Sequence, residues 1–176
     1  MNSAKAKELV SKGALVVKAD MGEDKGSLSK TLSNYNAVYV VTPGHIDRSK
    51  LVANVIAAAK DAKVDYLLVV SIPSAGYWNT TFGKQMGDIE DSVRTSGLNY
   101  GIIKLNNFIE NYWGSVSTIK EHNTLYGPVD GKVVFTNISV EDAGLTAAKI
   151  LLNYQQHHNA TYTPTSNTQS LEAVAE

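Results

Sequence analysis

Four clusters of polar or small residues could do chemistry in this chain, and each follows a short apolar run. They are Asp20–Met21, Thr42–Pro43–Gly44, Ser71–Ile72–Pro73 and Asn106–Asn107. None is a complete catalytic set alone. In an open parallel sheet, however, ligands lie at the carboxyl ends of the strands, so four such exits define one rim. Turn residues leave strands in any α/β chain, so the shared position of the clusters says more than any one of them. Other reactive side chains are poorly placed. His45 follows Gly44 on the rim and reads as an exposed loop residue. His122 has only Glu121 beside it and no second ligand at helical spacing, and His157–His158 lie in a polar stretch, so no metal site is expected. The serines lack a Gly-x-Ser-x-Gly elbow, which argues against a hydrolase triad. Tyr112 and Trp113 suit either stacking on a flat molecule or core packing.

The elements that must position these residues follow from periodicity. Of the runs Ala14–Ala19, Ala37–Val41, Tyr66–Ser71 and Tyr100–Leu105, three are β-branched or aromatic through most of their length and alternate little. Such runs predict strands buried on both faces, as in a parallel sheet covered by helices. Lys104 interrupts the last run. Helical spacing occupies the intervals. Ser3–Lys12 precedes Gly13, a plausible residue just past a helix end. Ser27 caps a short helix to about Ser33, and Asp47 caps a longer one through Asp61. Gly83–Ser96 places Met86, Ile89 and Val93 on one side, and Ser139 caps a last long helix. A further strand is predicted at Lys132–Thr136. Strict alternation of strand and helix predicts an α/β fold with right-handed crossovers.

Composition narrows the classes. The chain has 176 residues, 43% hydrophobic and 19% charged, with a net charge of −1. That suits a globular core. It offers no bulk field for nucleic acid or an anionic membrane. With no cysteine, disulfides, a thiol nucleophile and thiolate metal sites are excluded. No apolar run nears the roughly 20 residues needed to span a bilayer, and a cytoplasmic location is the expectation.

The segments KADMGEDKGSL, AVYVVTPG, YLLVVSIPSAG, FGKQMGDIEDSVRTSGLNYGIIKLNNFIENYWG, TLYGPVDG and SVEDAG, in this order, resemble the NmrA-like branch of the atypical short-chain dehydrogenase/reductases. The likeness runs from about residue 4 to the C-terminus. It implies a partial Rossmann-like three-layer sandwich with a mainly parallel sheet, and NADP or NAD as cofactor. It also implies site roles. Asp20 and Met21 would sit beside the adenine, and Thr42, Pro43 and Gly44 near the ribose and diphosphate. Ser71, Ile72 and Pro73 would lie near the nicotinamide, with Lys84 on its ribose. Leu105, Asn106, Asn107 and Phe108 would follow, and Asn111, Tyr112 and Trp113 would stand at the substrate mouth. Lys84 and Asn111 are the catalytic candidates.

Three departures from the family pattern qualify this. The Gly-x-x-Gly-x-x-Gly turn that brings a helix N-terminus to the diphosphate has no counterpart, because Gly22 and Gly26 have the wrong spacing. The residue four before Lys84 is Thr80, not the tyrosine of the Tyr-x-x-x-Lys acid/base pair, and Tyr77 lies seven before it. The sequence reads as the middle of a protein of roughly twofold greater length. The expected organisation is an incomplete dinucleotide-binding domain over 1–153 and the start of a substrate lobe over 154–176. With the family's first two strands lacking, Ala14–Ala19 is expected to pair directly with Ala37–Val41. The four strands would then run in chain order; a homodimer filling the gap and an unstable fragment are the alternatives. The functions in view are reduction of quinone- or carbonyl-type small molecules with NAD(P)H, a dinucleotide-sensing regulator of a protein partner, and a non-binding interaction module.

Overall fold

The computed structural model describes residues 3–127 and 129–175; Met1, Asn2, Pro128 and Glu176 lie outside the described residues. Two sheets and seven α-helices are formed among the described residues. The main sheet has β1 (Ala37–Val40), β2 (Tyr66–Ser71), β3 (Asn99–Lys104) and β6 (Ala160–Tyr162), in that order and parallel throughout. Between its strands run α3 (Arg48–Asp61), α4 (Thr81–Arg94) and α6 (Val140–Leu152). The α/β architecture predicted from the alternation is what forms.

Successive residues of β2 show why its sequence lacks a polar face. Leu67 and Val69 enter a core with Val52 and Ile56 of α3 and Met86 and Ile89 of α4. Tyr66 and Leu68 enter the opposite core with Ile138, Ala147 and Ile150, the last two from α6. Both faces are covered, so both must be apolar. Each large buried side chain contributes roughly 1.5–3 kcal/mol of transfer free energy.

Helix starts follow local hydrogen bonding. α2 (Lys25–Leu32) is capped by Asp24, whose side chain accepts from the Ser27 N–H at 3.0 Å. Ser27, the expected cap, instead donates its hydroxyl to Glu23. α4 starts at Thr81 because Thr80 Oγ1 accepts from the Gly83 N–H at 3.0 Å. Thr80→Ala should therefore cost about 1 kcal/mol, and Thr80→Ser should largely restore it. A urea unfolding midpoint that does not move in the alanine variant would contradict this.

A second, smaller sheet joins β4 (Asn107–Phe108), β5 (Val134–Ile138) and β7 (Asn167–Ser170), with β4 and β5 parallel and β7 antiparallel to β5. The predicted strand at Lys132–Thr136 thus begins and ends two residues later and belongs to this sheet. A 3₁₀ segment over Ile109–Ser115, α5 (Val116–His122) and a terminal α7 (Leu171–Ala175) flank it.

The expected strand at Ala14–Ala19 does not form, and its pairing with Ala37–Val41 is overturned. Among the described residues, 14–20 belong to no strand after α1 (Ala4–Ser11), and β1 pairs with β2 alone. The expectation assumed that unpaired strand groups would be buried. They are not: Leu15 is 77% and Val17 48% exposed, so water satisfies the neighbouring backbone. The end of the segment is also tethered elsewhere. Asn54 of α3 donates to the carbonyls of Met21 at 2.8 Å and Glu23 at 2.7 Å.

Candidate functional site

The strand exits meet at one rim, along which three cavities follow one another. The first, about 410 Å³, is lined by Asp20, Met21, Thr42 and Pro43. It shares Val41 and Thr42 with the second, about 420 Å³, which adds Ser71, Ile72, Leu105, Asn106 and Phe108. The third, about 400 Å³, shares Ile72, Leu105 and Asn106 with the second and adds Pro73 and Asn107. Eleven of the proposed rim residues therefore line one continuous cleft. Gly44 is exposed beside it, and Lys84 and Asn111 are outside it.

Local bonds hold this rim in shape. Asp20 Oδ1 accepts from the Gly22 N–H at 2.7 Å, making a tight turn, and Met21 packs on the core. The Leu105 N–H donates to the Ser71 carbonyl at 2.9 Å, locking the ends of β2 and β3 together. Asn106 Nδ2 donates to the Pro164 carbonyl at 3.2 Å.

Ser71 offers the cleft little beyond its backbone. It is fully buried, and its hydroxyl donates to Glu90 Oε1 at 2.5 Å. The same carboxylate takes Lys104 Nζ at 3.0 Å and Arg94 at 2.8 Å. Burial pushes the Glu90 carboxyl up, but these three donors outweigh it and hold it below its ordinary value. The group is a structural clamp on the far face of the sheet.

Lys84 is exposed one turn into α4 and forms no ion pair among the described residues. Its helix neighbours Phe82 and Met86 line the second cavity instead. The cation on the cleft is Arg48, which sequence reasoning missed. Its guanidinium lies 4.6 Å from the centroid of the Phe82 ring, and Nε donates to the His45 carbonyl at 3.1 Å. Stacking and one hydrogen bond fix the group and leave its outer N–H donors for an anion. A signal was present: Arg48 opens the helix that follows the Thr42 exit.

Asn111 belongs to a neighbouring cavity of about 380 Å³, lined by Asn107, Tyr112, Tyr126, Phe135 and Leu171 among others. Asn107 and Phe135 are common to it and the third rim cavity. One end carries a ladder of amides: Asn111 Nδ2 donates to Asn107 Oδ1 at 2.9 Å, and Asn107 Nδ2 to Asn137 Oδ1 at 3.0 Å. The buried Tyr112 hydroxyl has no partner among the described residues, and burial raises its phenol pKa. Trp113 is exposed. Among the described residues no group of three His, Asp or Glu could hold a metal, and no helix is long and apolar enough to cross a membrane.

A long cleft over the carboxyl ends of a parallel sheet defines a nucleotide-binding α/β protein. The family model described as NAD(P)H-binding matches residues 1–153, and the chain belongs to this family. It is 28% identical over 175 residues to an NAD(P)H azoreductase of Xenophilus azovorans, covering 98% of this chain and 59% of that protein. The NADPH complex of an Escherichia coli NADPH-dependent quinone oxidoreductase superposes with a TM-score of 0.85 at 24% identity, over 98% of this chain and 61% of the other. The NADP complex of NmrA, a negative transcriptional regulator, gives 0.82 at 16% identity, over 97% and 57%. The chain thus spans about three fifths of the length of such relatives, and the NAD(P)-binding fold that the resemblance implied is shown by the family it belongs to.

The residues present fit the two ends of a dinucleotide and not its middle. The Asp20–Met21 turn and the apolar walls at Ile72, Leu105 and Phe108 suit flat rings. A diphosphate needs several converging donors. Of the helices that border the second cavity, α6 and α4 have N-terminal donors occupied, the Val140 N–H by Glu110, the Asp142 N–H by Ser139 and the Gly83 N–H by Thr80, while α3 starts at Arg48 with no side-chain cap from Asp47. Arg48 is a single cation.

Proposed function

We propose that this chain forms the sheet-rim half of an NAD(P)H site in a reductase of quinone- or other carbonyl-type small molecules, or of azo compounds. The observation that carries this reading is the continuous cleft joining the Asp20, Thr42, Ile72 and Asn106 exits. The adjoining cavity with its amide ladder supports a substrate site, with Asn111 and Asn107 as donors to a carbonyl or quinone oxygen. Leu171 on its wall supports reading the residues after β6 as part of a substrate-covering lobe. A nicotinamide nucleotide supplies hydride when bound, and the protein positions and excludes water. The same reading places the chain in the cytoplasm.

The test is NMR titration with reduced nicotinamide mononucleotide, which needs no diphosphate cradle. Saturable shifts at Thr42, Ile72, Leu105 and Asn106 are expected; shifts confined to other surfaces would overturn the reading. Arg48→Ala should weaken this binding by about ten- to a hundredfold, the worth of one charged hydrogen bond of roughly 1.5–3 kcal/mol. An unchanged titration would show that Arg48 does not face the phosphate.

A second reading, a dinucleotide-sensing regulator of a protein partner, is favoured by one feature. The position of the acid/base tyrosine is held by Thr80, whose hydroxyl oxygen caps α4. Nucleotide binding without oxidation across a quinone and azo-dye panel would select it over the reductase.

A further inference from the structure

Resting on the substrate reading above, we infer that Asn137 is a positioning residue. From inside the small sheet it holds the amides of Asn107 and Asn111 in one orientation at the cavity wall.

The three strands of the small sheet each place an asparagine at the same register. Asn107 of β4 pairs with Asn137 of β5, and Asn137 with Asn167 of β7. Cross-strand partners carry their side chains on one face, so the three amides form a row. The row continues to Asn111, four residues after Asn107 in the 3₁₀ segment. Its hydrogen bonds run in one direction. Asn111 Nδ2 donates to Asn107 Oδ1, and Asn107 Nδ2 donates to Asn137 Oδ1. Burial deepens along the same path: Asn111 and Asn107 are exposed on the cavity wall, whereas Asn137 is fully buried. Asn111 keeps one N–H and its carbonyl oxygen for a bound molecule.

For stability alone Asn137 is a poor choice. Its Nδ2 has no partner among the described residues, and neither has the buried Oδ1 of Asn167. A buried donor left unpaired is costly, and an apolar side chain of the same shape avoids that cost. What Asn137 supplies is an acceptor fixed between two strands. Asn107 stands exposed on a strand of two residues, where water would compete for its amide and its χ2 would turn freely. Anchored on Asn137, it keeps its oxygen toward Asn111. A polar group that must meet a ligand in one geometry needs such support from behind.

The test compares the 176-residue chain with Asn137→Leu and Asn137→Asp. It follows urea unfolding, ¹⁵N relaxation of the Asn107 and Asn111 side-chain amides, and NMR titration with 1,4-naphthoquinone, for which the chain has no cysteine to form adducts. Asn137→Leu should keep or raise the urea midpoint. It should also drop the Asn107 amide order parameter below about 0.6 and weaken quinone binding about tenfold, the worth of one oriented hydrogen bond. Asn137→Asp keeps an accepting oxygen and removes the orphan N–H, so it should restore both the ordered amides and the binding. Unchanged amide order in Asn137→Leu would overturn the positioning role whatever the midpoint does, as would loosened amides with unchanged quinone binding. Loosened amides in a chain whose parent binds no quinone would uphold the ladder and overturn the substrate reading, so the two fail separately.

Discussion

Replacing Glu90 by alanine should cost this chain about 3–5 kcal/mol, because it strips the partner from buried cationic and hydroxyl groups. Glu90 is 4% exposed and is the common acceptor of Ser71, Arg94 and Lys104. Lys104 is itself largely covered, so its ammonium would be left without a counter-charge in a poorly solvated place. Urea unfolding should show a much lower midpoint with an unchanged slope. The double variant Glu90→Met/Lys104→Met, which removes both charges, should recover most of the loss. The pH dependence follows from the same clamp. Burial raises the Glu90 pKa, the hydrogen bonds of Ser71, Arg94 and Lys104 lower it further, and the net folded value lies below the ordinary one. Its contribution is therefore fully present above the unfolded value, roughly 4.3. It is lost as pH falls through the lower folded value. Glu90→Gln should flatten the acid limb of the stability profile. An acid limb identical to that of the parent would contradict the assignment.

Gly101→Ala is expected to cost roughly 2–4 kcal/mol through overpacking and a displaced hydrogen bond. A Cβ at position 101 would lie 2.0 Å from the Tyr66 hydroxyl oxygen. Tyr66 cannot easily give way. It is fully buried, stacks on Tyr154 at 5.6 Å, and donates to the His157 carbonyl at 3.0 Å. Burial, with a smaller push from Tyr162, raises its phenol to about 12, so it stays a donor throughout the stable pH range. Tyr66→Phe alone should cost about 1 kcal/mol. It should also relieve the alanine, so the double variant is more stable than the sum of the single losses predicts. Strict additivity in thermal or urea unfolding would mean that the two residues do not compete for this space.

These two sites mark where the sequence was legible and where it was not. The run YLLVVS announces a strand covered on both faces, and Leu67 and Leu68 do enter opposite cores. The strand exits likewise announce a rim, because chain direction alone puts Thr42, Ile72 and Asn106 at one end of a parallel sheet. The same logic misjudged Ala14–Ala19. An apolar pattern says what a segment would bury, not whether a neighbour is there to bury it. Lys104 in the YGIIKL run and Glu90 beside Ile89 were visible irregularities, and each is explained by the other. Arg48 was harder to find. Its meaning depends on Phe82, a residue far along the chain, and on a stacking distance that no local pattern encodes. The second sheet was nearly invisible. Asn107–Phe108 is too short to show a period and Asn167–Ser170 is polar, so both strands are set by pairing with Val134–Ile138.

As proposed above, this chain would hold the ring-binding ends of a dinucleotide cleft without the cradle for its diphosphate. Calorimetric titration of the 176-residue chain with NADPH, beside reduced nicotinamide mononucleotide, tests it most directly. NADPH should bind no more than about tenfold more tightly than the mononucleotide, with no saturation in the micromolar range. Saturable one-to-one binding of NADPH at micromolar concentration would contradict the account.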